Sequence, residues 1–276
     1  MSGRVAKIFR ILFTGSAFFI FWWGGLLLSW TVLPALRLWH RRDPHQGSRR
    51  CRWVLNRGLR FHATYMRSLG LIDFDAREVE EGLRIAGPFV MVANHPTLID
   101  VVLLLAFCPN MYCVVKGAVM RSPFVGRMLR YADHIDAGDG GPMSGVEVIQ
   151  GAVARLRRGD PVLIFPEGTR SERAGLGQFR NGAFVIATAA NVPVVPVHIQ
   201  AHPPGLMRGM KWYTVADGTM RFRFTTLPPV SPEHFPGGAK AMARSVRDSI
   251  AAQFALPPSA PEGAAPGPAE TLNGAA

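Results

Sequence analysis

The stretch GPFVMVANHPTLIDVVLLLAF, residues 87–107, contains two strongly apolar runs separated by a short polar loop. The first run predicts a buried strand, and the second predicts a helix that begins at Asp100 or just before it and stops at Pro109-Asn110. A strand, a loop and a helix in this order form the repeating unit of α/β domains. The polar loop is therefore expected at the end of a strand, where such domains place their chemistry.

The same alternation continues along the chain. Residues 111–116, 161–168 and 192–200 predict further strands, and residues 144–158 and 182–190 predict helices. Asp217-Gly218 suits a turn into an alternating strand at residues 220–227, and residues 239–254 predict a terminal helix. We therefore expect an α/β fold over residues 71–255, a single mostly parallel sheet flanked by helices. Residues 256–276 are rich in Pro, Ala and Gly and are expected to be disordered.

The first 70 residues carry nearly all of the excess positive charge. They hold twelve Lys and Arg against one acid, Asp43, whereas the other 206 residues hold nineteen basic and eighteen acidic side chains. Within this segment, residues 11–33 are uncharged and would measure roughly 34 Å as a helix, against a bilayer core of about 30 Å. We therefore expect residues 1–70 to form a membrane-anchoring helical hairpin, with a possible bend at Gly24-Gly25 and a basic amphipathic helix near residues 49–71.

Whether the apolar run spans the bilayer or dips into one leaflet is open, because basic residues flank it on both sides. A buried soluble hairpin is disfavoured, since its many arginines would have one acid for a partner. Arginines that alternate with aromatic residues beside an apolar run suit lipid headgroups better than a nucleic acid, so membrane phospholipids are expected partners and nucleic acid is not. Cys51, Cys108 and Cys113 are odd in number and lack metal spacing, which favours a reduced, cytoplasm-facing domain.

Two strand ends carry polar groups suited to chemistry. His95 and Asp100 follow the first strand, and FPEGTRS, residues 165–171, follows the strand predicted at residues 161–168. In the second stretch Arg170 could hold a phosphate through two parallel hydrogen bonds, and Gly168 would let the backbone approach closely. Taken singly, each stretch also has a purely structural explanation: His95 could be a hydrogen-bonded histidine of the core, and Glu167 and Arg170 could form a surface ion pair.

Together, the NHxxxxD spacing of His95 and Asp100 and the FPEGTRS stretch resemble the glycerolipid acyltransferase family, in particular bacterial 1-acyl-glycerol-3-phosphate acyltransferases. Further similar segments are KGAVMRSPFVG from Lys116, Ile135-Asp136 of the family's FIDR element, residues 179–182 of its FKxG element, and VPVVPV at residues 192–197. The resemblance covers roughly residues 85–200.

Three positions depart from the family pattern. Ala118 stands where the family often has Glu, His134 where FIDR has Phe, and Ala137 where FIDR has Arg. The last departure removes a cation that the family uses near the headgroup, and it puts the identity of the acceptor in doubt more than the reaction.

The resemblance implies an O-acyltransferase that needs no cofactor and no metal and that moves an acyl group from acyl-CoA or acyl carrier protein to a lysophospholipid hydroxyl. Neutral histidine is a suitable general base near neutral pH, so His95 is expected as the base and Asp100 as the residue that orients it. The expected substrate-binding residues are Lys116, Arg121, Glu167, Gly168, Thr169 and Arg170. The enzyme is expected at the cytoplasmic (inner) membrane, with its catalytic domain facing the cytoplasm.

Lysophosphatidate is the default acceptor. An ornithine lipid or a specialised polyene or fatty-acyl lipid is the main alternative, and a non-catalytic lipid-binding protein is the alternative from another class. A metal hydrolase is disfavoured because no third ligand stands at useful spacing from His95 and Asp100. Nucleotide-binding enzymes are disfavoured because neither GxxxxGK[ST] nor GxGxxG occurs.

Overall fold

The chain is seen in a computed structural model that describes residues 3–75, 77–82, 87–138, 142–171, 175–211, 213–216 and 218–254. Three helices come first: α1 (Gly3–Trp30), α2 (Val32–Trp39) and α3 (Pro44–Ser68). The other helices are α4 (Arg77–Gly82), α5 (Asp100–Phe107), α6 (Gly117–Met120), α7 (Gly126–Tyr131), α8 (Pro142–Leu156), α9 (Gly182–Ala190) and α10 (Gly238–Gln253), with a 3-10 turn at Pro232–His234. The predicted disordered tail and the predicted turn residue Asp217 lie outside the described residues.

One seven-stranded sheet forms the centre of the fold. Its strands are β1 (Ile72–Phe74), β2 (Val90–Ala93), β3 (Tyr112–Val115), β4 (Ile135–Asp136), β5 (Val162–Ile164), β6 (Val194–His202) and β7 (Met220–Thr226). They lie in the order β1-β7-β6-β2-β5-β3-β4, and every neighbouring pair is parallel except β6 and β7. The predicted α/β class and mostly parallel sheet are confirmed.

Helices cover both faces of this sheet. Along β2, Met91 and Ala93 pack with α5, while Val90 and Val92 pack with α8, α9 and α10. All four residues of β2 are buried. A strand covered on both faces has no polar side, and this is why β2 reads as an unbroken apolar run.

The N-terminal helices lie against the sheet domain instead of standing apart from it. Ala63 and Met66 of α3 share the apolar core beneath α5, and Ala17 of α1 reaches the same core. The expected bend at Gly24-Gly25 does not occur, because α1 continues through it to Trp30. Gly25 faces the domain, where a Cβ would make an ordinary van der Waals contact with Val125 Cγ1 at 3.5 Å.

The chain reverses direction between α2 and α3. The Asp43 side chain accepts a hydrogen bond from Gln46 N at 2.9 Å and caps α3, whose first residue is Pro44. α3 packs on α5 and shares its apolar core. The division of the chain into an anchoring segment, residues 1–70, and a sheet domain that begins at residue 71 therefore stays a prediction.

The face of α1 that points away from the domain is apolar. One segment, Val5–Trp39, is long and apolar enough to cross a membrane, and only 17% of its most apolar window is buried. Its exposed large side chains include Ile8, Phe9, Leu12, Phe13, Phe19, Trp23, Leu27 and Trp30. An apolar surface of this extent on a folded chain marks contact with a membrane or another protein.

Candidate active site

The two motif loops meet at one end of the sheet. β2 and β5 are parallel neighbours, with Val92 opposite Ile164, so the chain leaves both strands on the same side. The His95 ring stacks on Phe165 with ring centres 4.2 Å apart and planes tilted by 24°. The sheet topology therefore brings together stretches that are seventy residues apart in sequence.

His95 and Asp100 form a hydrogen-bonded pair. His95 Nδ1 lies 2.8 Å from Asp100 Oδ2, and Asp100 is the first residue of α5. The same carboxylate accepts hydrogen bonds from Thr97 N and Thr97 Oγ1, both at 2.6 Å. Asp100 is fully buried, whereas the His95 side chain is 18% exposed. The carboxylate therefore holds one ring nitrogen of His95 from the protein side.

Glu167 links the two loops through its carboxylate. Oε1 accepts hydrogen bonds from Ser171 Oγ at 2.6 Å and from His95 N at 3.3 Å, and Oε2 accepts one from Gly177 N at 3.0 Å. Ser171 N in turn donates to His95 O at 2.7 Å. Both carboxylate oxygens of Glu167 are thus engaged by the protein, and the residue is 8% exposed.

A residue outside the motifs supports Glu167. Arg247 of α10 donates from Nε to Gly177 O at 3.0 Å and from Nη2 to Leu176 O at 3.3 Å. Gly177 fits only without a side chain, because a Cβ there would lie 2.9 Å from Glu167 Oε2. Arg247 therefore fixes the segment that presents Gly177 N to Glu167.

Asn94 ties the loop that carries His95 to the neighbouring strand. Its Nδ2 donates to Ile199 O at 2.9 Å, and its Oδ1 accepts from Ile199 N at 2.6 Å. Asn94 is fully buried and replaces the backbone pairing that ends where the loop leaves β2. The position of His95 is thereby fixed relative to β6.

A cavity of about 900 Å³ opens beside His95. Its walls come from α1, α3 and α5, from the chain between β3 and β4, and from residues 205–206 and 214–216. Most of the lining side chains are apolar, including Phe21, Leu59, Val102 and Leu105. The volume is at the upper end of the roughly 300–1,000 Å³ that is typical of small-molecule sites.

Basic residues from several elements line the cavity together with His95: Lys116, Arg170 and Arg180, and also Arg10 of α1 and Arg52 of α3. Arg170 Nη1 donates to Leu206 O at 3.0 Å and to Met207 O at 3.2 Å. Within the described part of the chain, Lys116 and Arg180 have no side-chain hydrogen bond or ion pair. These cations give one part of an apolar cavity a positive charge.

The structure brings most of the predicted substrate-binding residues to this cavity. Lys116, Gly168, Thr169 and Arg170 line it. Glu167 lies behind the wall, and Arg121 is exposed at the end of α6, outside the set of lining residues. The substrate roles of all six stay predictions.

Arg180 was absent from the predicted site, although its FKxG element was recognised. Gly168 has φ of +67°, and a Cβ on it would lie 3.1 Å from Arg180 Nε. A left-handed glycine without a side chain therefore lets the Arg180 side chain pass over the FPEGTRS loop to the cavity. The basic residue in FKxG was the one sequence signal that could have found it.

Three histidines other than His95 are buried: His62, His134 and His198. Burial, together with the charges of Arg52 and Arg155, lowers the pKa of His134 to about 3. Burial also lowers the pKa of His62 to about 4 and that of His198 to about 4. All three are therefore neutral at neutral pH. Among the described residues, no three His, Cys, Asp or Glu side chains are grouped so that they could hold a metal.

Residues 75–200 match the family model described as Acyltransferase. A chloroplastic 1-acyl-sn-glycerol-3-phosphate acyltransferase of Brassica napus is 33% identical over 110 residues, which are 40% of this chain and 32% of that protein. A 1-acyl-sn-glycerol-3-phosphate acyltransferase alpha of Mus musculus is 29% identical over 60% of this chain and 59% of that protein. The chain spans about a third of the length of the first curated relatives that it matches.

The fold is also similar to a solved structure. The crystal structure of the 1-acyl-sn-glycerophosphate acyltransferase PlsC from Thermotoga maritima matches with a TM-score of 0.68 and 20% identity, over 93% of this chain and 99% of that one. At this level of identity the match concerns the fold, including the N-terminal helices.

Proposed function

We propose that this chain, whose residues 75–200 match the family model described as Acyltransferase, is a membrane-associated O-acyltransferase that acts on a lysophospholipid. The observation that carries the proposal is the His95–Asp100 pair, 2.8 Å between Nδ1 and Oδ2, at the wall of a mostly apolar cavity that is also lined by Lys116, Arg170 and Arg180. The acceptor that we infer is 1-acyl-glycerol-3-phosphate, which would give phosphatidate. The curated relatives named above support this choice.

The reaction uses His95 as a general base. With the Nδ1 proton held by Asp100, the Nε2 lone pair accepts the proton of the acceptor hydroxyl as its oxygen attacks the thioester carbonyl carbon. The tetrahedral intermediate collapses with cleavage of the carbon–sulfur bond, and the proton on Nε2 passes to the departing thiolate. The products are the ester and the free thiol, so the enzyme returns to its starting state.

The cations would bind the phosphate of the acceptor. Lys116, Arg170 and Arg180 line the cavity beside His95, and cationic donors make the strongest hydrogen bonds to phosphate oxygens. The two carbonyls that Arg170 contacts hold its guanidinium in place before substrate binds. The thioester donor, acyl-CoA or acyl carrier protein, would extend its acyl chain into the apolar part of the cavity.

We infer that α1 lies in one leaflet of the membrane instead of crossing it. Ser16 Oγ lies 2.9 Å from Tyr65 OH, the Trp22 ring lies 5.5 Å from that of Phe124, and the Arg127 guanidinium lies 4.0 Å from the Trp30 ring centre. Contacts with the folded domain thus extend over about 20 Å of the helix at about 1.5 Å per residue. A helix flanked by a domain along this length buries its opposite, exposed face in lipid most simply by lying along the surface.

The acceptor is tested by offering labelled acyl-CoA and acyl carrier protein donors to the membrane-bound chain against a panel of lysolipids. Formation of phosphatidate from lysophosphatidate is the expected result, with activity unchanged by EDTA. If a phosphate-free acceptor such as an ornithine lipid is acylated and lysophosphatidate is not, the acceptor assignment is wrong. Ala137, which lines the cavity where the resemblance predicts Arg, makes that comparison necessary.

A further inference from the structure

The three departures from the family pattern line one cavity. Ala118, His134 and Ala137 all contribute to its wall. Two of them remove a charged group, but His134 adds a polar one where the family has Phe. Changes gathered in the wall of a substrate cavity point to a change in the substrate.

His134 presents a hydrogen-bond donor that lacks an acceptor. The residue is 7% exposed, and its Nδ1 accepts a hydrogen bond from Cys113 N at 3.0 Å. Because the ring is neutral and Nδ1 is the acceptor, the ring proton sits on Nε2. Across the described ranges, no group accepts a hydrogen bond from Nε2.

Arg52 of α3 is a second donor in the same wall. It is 3% exposed, donates from Nη1 to Ala132 O at 2.9 Å, and lies 3.7 Å from the Tyr112 ring centre. Its Nε and Nη2 are buried, and no described group accepts a hydrogen bond from them. Among the residues that the structure describes, no carboxylate forms an ion pair with it. Burial lowers the pKa of Arg52 although the nearby Tyr112, Asp160 and Asp133 favour its charged form, so an oxygen acceptor at Nε or Nη2 would stabilise it further.

The two donors lie close together at the wall of the cavity. The charge of Arg52 is close enough to act on the His134 ring. Around them the cavity is lined by Leu55, Val125, Met128 and Leu129. An alkyl chain would pack against those four side chains but would offer no hydrogen-bond acceptor to Arg52 Nε and Nη2 or to His134 Nε2.

We propose that Arg52 and His134 bind an oxygen atom carried on the acyl chain of a substrate, such as a hydroxyl, keto or terminal carboxyl oxygen. The proposal rests on the proposed function, because it takes the cavity to hold an acyl chain. The oxygen would accept hydrogen bonds from His134 Nε2 and from the Arg52 guanidinium. The chain could belong to the acyl donor or to the lysolipid acceptor, and the same chemistry would recognise either.

The test compares substrates that differ by one oxygen. The full chain in detergent receives palmitoyl thioester and hydroxyl-, keto- or terminal carboxyl-bearing thioesters of the same length, each with plain lysophosphatidate. A second arm offers the plain thioester with lysophosphatidate that carries the oxygen. We expect kcat/KM to be about tenfold or more higher for an oxygen-bearing substrate in one arm, the size of one hydrogen bond to a charged group. The arm that shows this preference identifies whether the oxygen is recognised on the acyl chain of the donor or on that of the acceptor.

Two variants decide whether the pair causes the preference. The variants are His134→Phe, which restores the family residue, and Arg52→Met. In each variant, kcat/KM for the oxygen-bearing substrate should fall until its ratio to kcat/KM for the plain substrate is about one. His198→Phe is the matched control, because His198 is a buried neutral histidine away from the cavity. It should keep the preference.

The proposal is overturned if the wild type shows no preference in either arm. It is also overturned if both variants reduce turnover of plain and oxygen-bearing substrates equally, since that pattern indicates a structural role. Absence of acyl transfer from every donor would instead refute the proposed function, so the two failures are distinguishable. Should one variant fail to fold, the other makes the same comparison.

Discussion

Asp100→Asn removes the negative charge of the His95–Asp100 pair while keeping the size of the Asp100 side chain. Asp100 Oδ2 serves both His95 Nδ1 and Thr97 N, and Oδ1 serves the Thr97 hydroxyl. An asparagine has one oxygen for these contacts. If that oxygen faces Thr97 N, the ring keeps its tautomer but loses the carboxylate that stabilises the imidazolium. If the amide nitrogen faces Nδ1, the ring proton moves to Nε2, which then cannot act as a base.

Both arrangements should lower kcat by about 10²–10⁴-fold, or about 3–5 kcal/mol of barrier. KM should change little, because Asp100 is fully buried and does not reach the cavity. The assay is steady-state transfer from a labelled acyl thioester to lysophosphatidate, with thermal unfolding followed in parallel. Asp136→Asn is the matched control, since Asp136 is exposed and contacts Gly138 N instead of a ring. A folded Asp100→Asn enzyme within threefold of wild-type kcat would refute this reasoning.

Three other predictions follow from the fold and the site. Arg247→Ala should lower kcat several-fold with little change in KM, because it releases the segment that Glu167 contacts. Arg247→Lys should recover part of the lost activity. Arg244→Ala, on the same helix, is the control and should have no effect on kcat. The free energy of unfolding should fall by roughly 2 kcal/mol for each of the three buried histidines as the pH is lowered from 7 to 5. The unfolded chain takes up protons on these histidines near pH 6.5, whereas the folded rings, with pKa values of about 3 to 4, stay neutral. Denaturant titrations should show a shallower pH dependence for His134→Phe and an unchanged one for the exposed His234→Ala; equal slopes in all three proteins would count against buried neutral rings. Trp23→Asp, at a side chain that is 53% exposed, should weaken vesicle binding about tenfold or more, and undiminished sedimentation with vesicles would argue against a lipid-facing α1.

The central strands of the sheet were predictable because burial on both faces leaves unbroken apolar runs, and so were the longer helices α5, α8, α9 and α10, whereas the short helices α4, α6 and α7 were not predicted. β1 and β4 were not predicted, since three and two residues are too few to show a period. The order of the strands was also beyond the sequence, because pairing depends on contacts such as that between Asn94 and Ile199. The predicted bend at Gly24-Gly25 was wrong, because both glycines lie inside the continuous helix α1.

The site was predictable where its partners are close in sequence. His95 and Asp100 are five residues apart, and a loop residue followed by the first residue of a helix lets their side chains meet. Glu167 was harder to interpret, because its partners at Ser171 and Gly177 are set by tertiary folding. The reach of Arg180 depends on the left-handed backbone at Gly168, which no local pattern specifies. The family resemblance itself is confirmed over residues 75–200.

The central claim is that His95 accepts the proton of an acceptor hydroxyl. The most direct measurement is acyl transfer by His95→Ala in membranes, with labelled thioester and lysophosphatidate, beside sedimentation of the same variant with vesicles. The account predicts a fall in turnover of roughly 10²-fold or more with membrane association unchanged. Turnover at the wild-type level in a folded His95→Ala protein would contradict it, and an inactive wild-type chain that still binds lysolipid would indicate a lipid-binding protein instead of an enzyme.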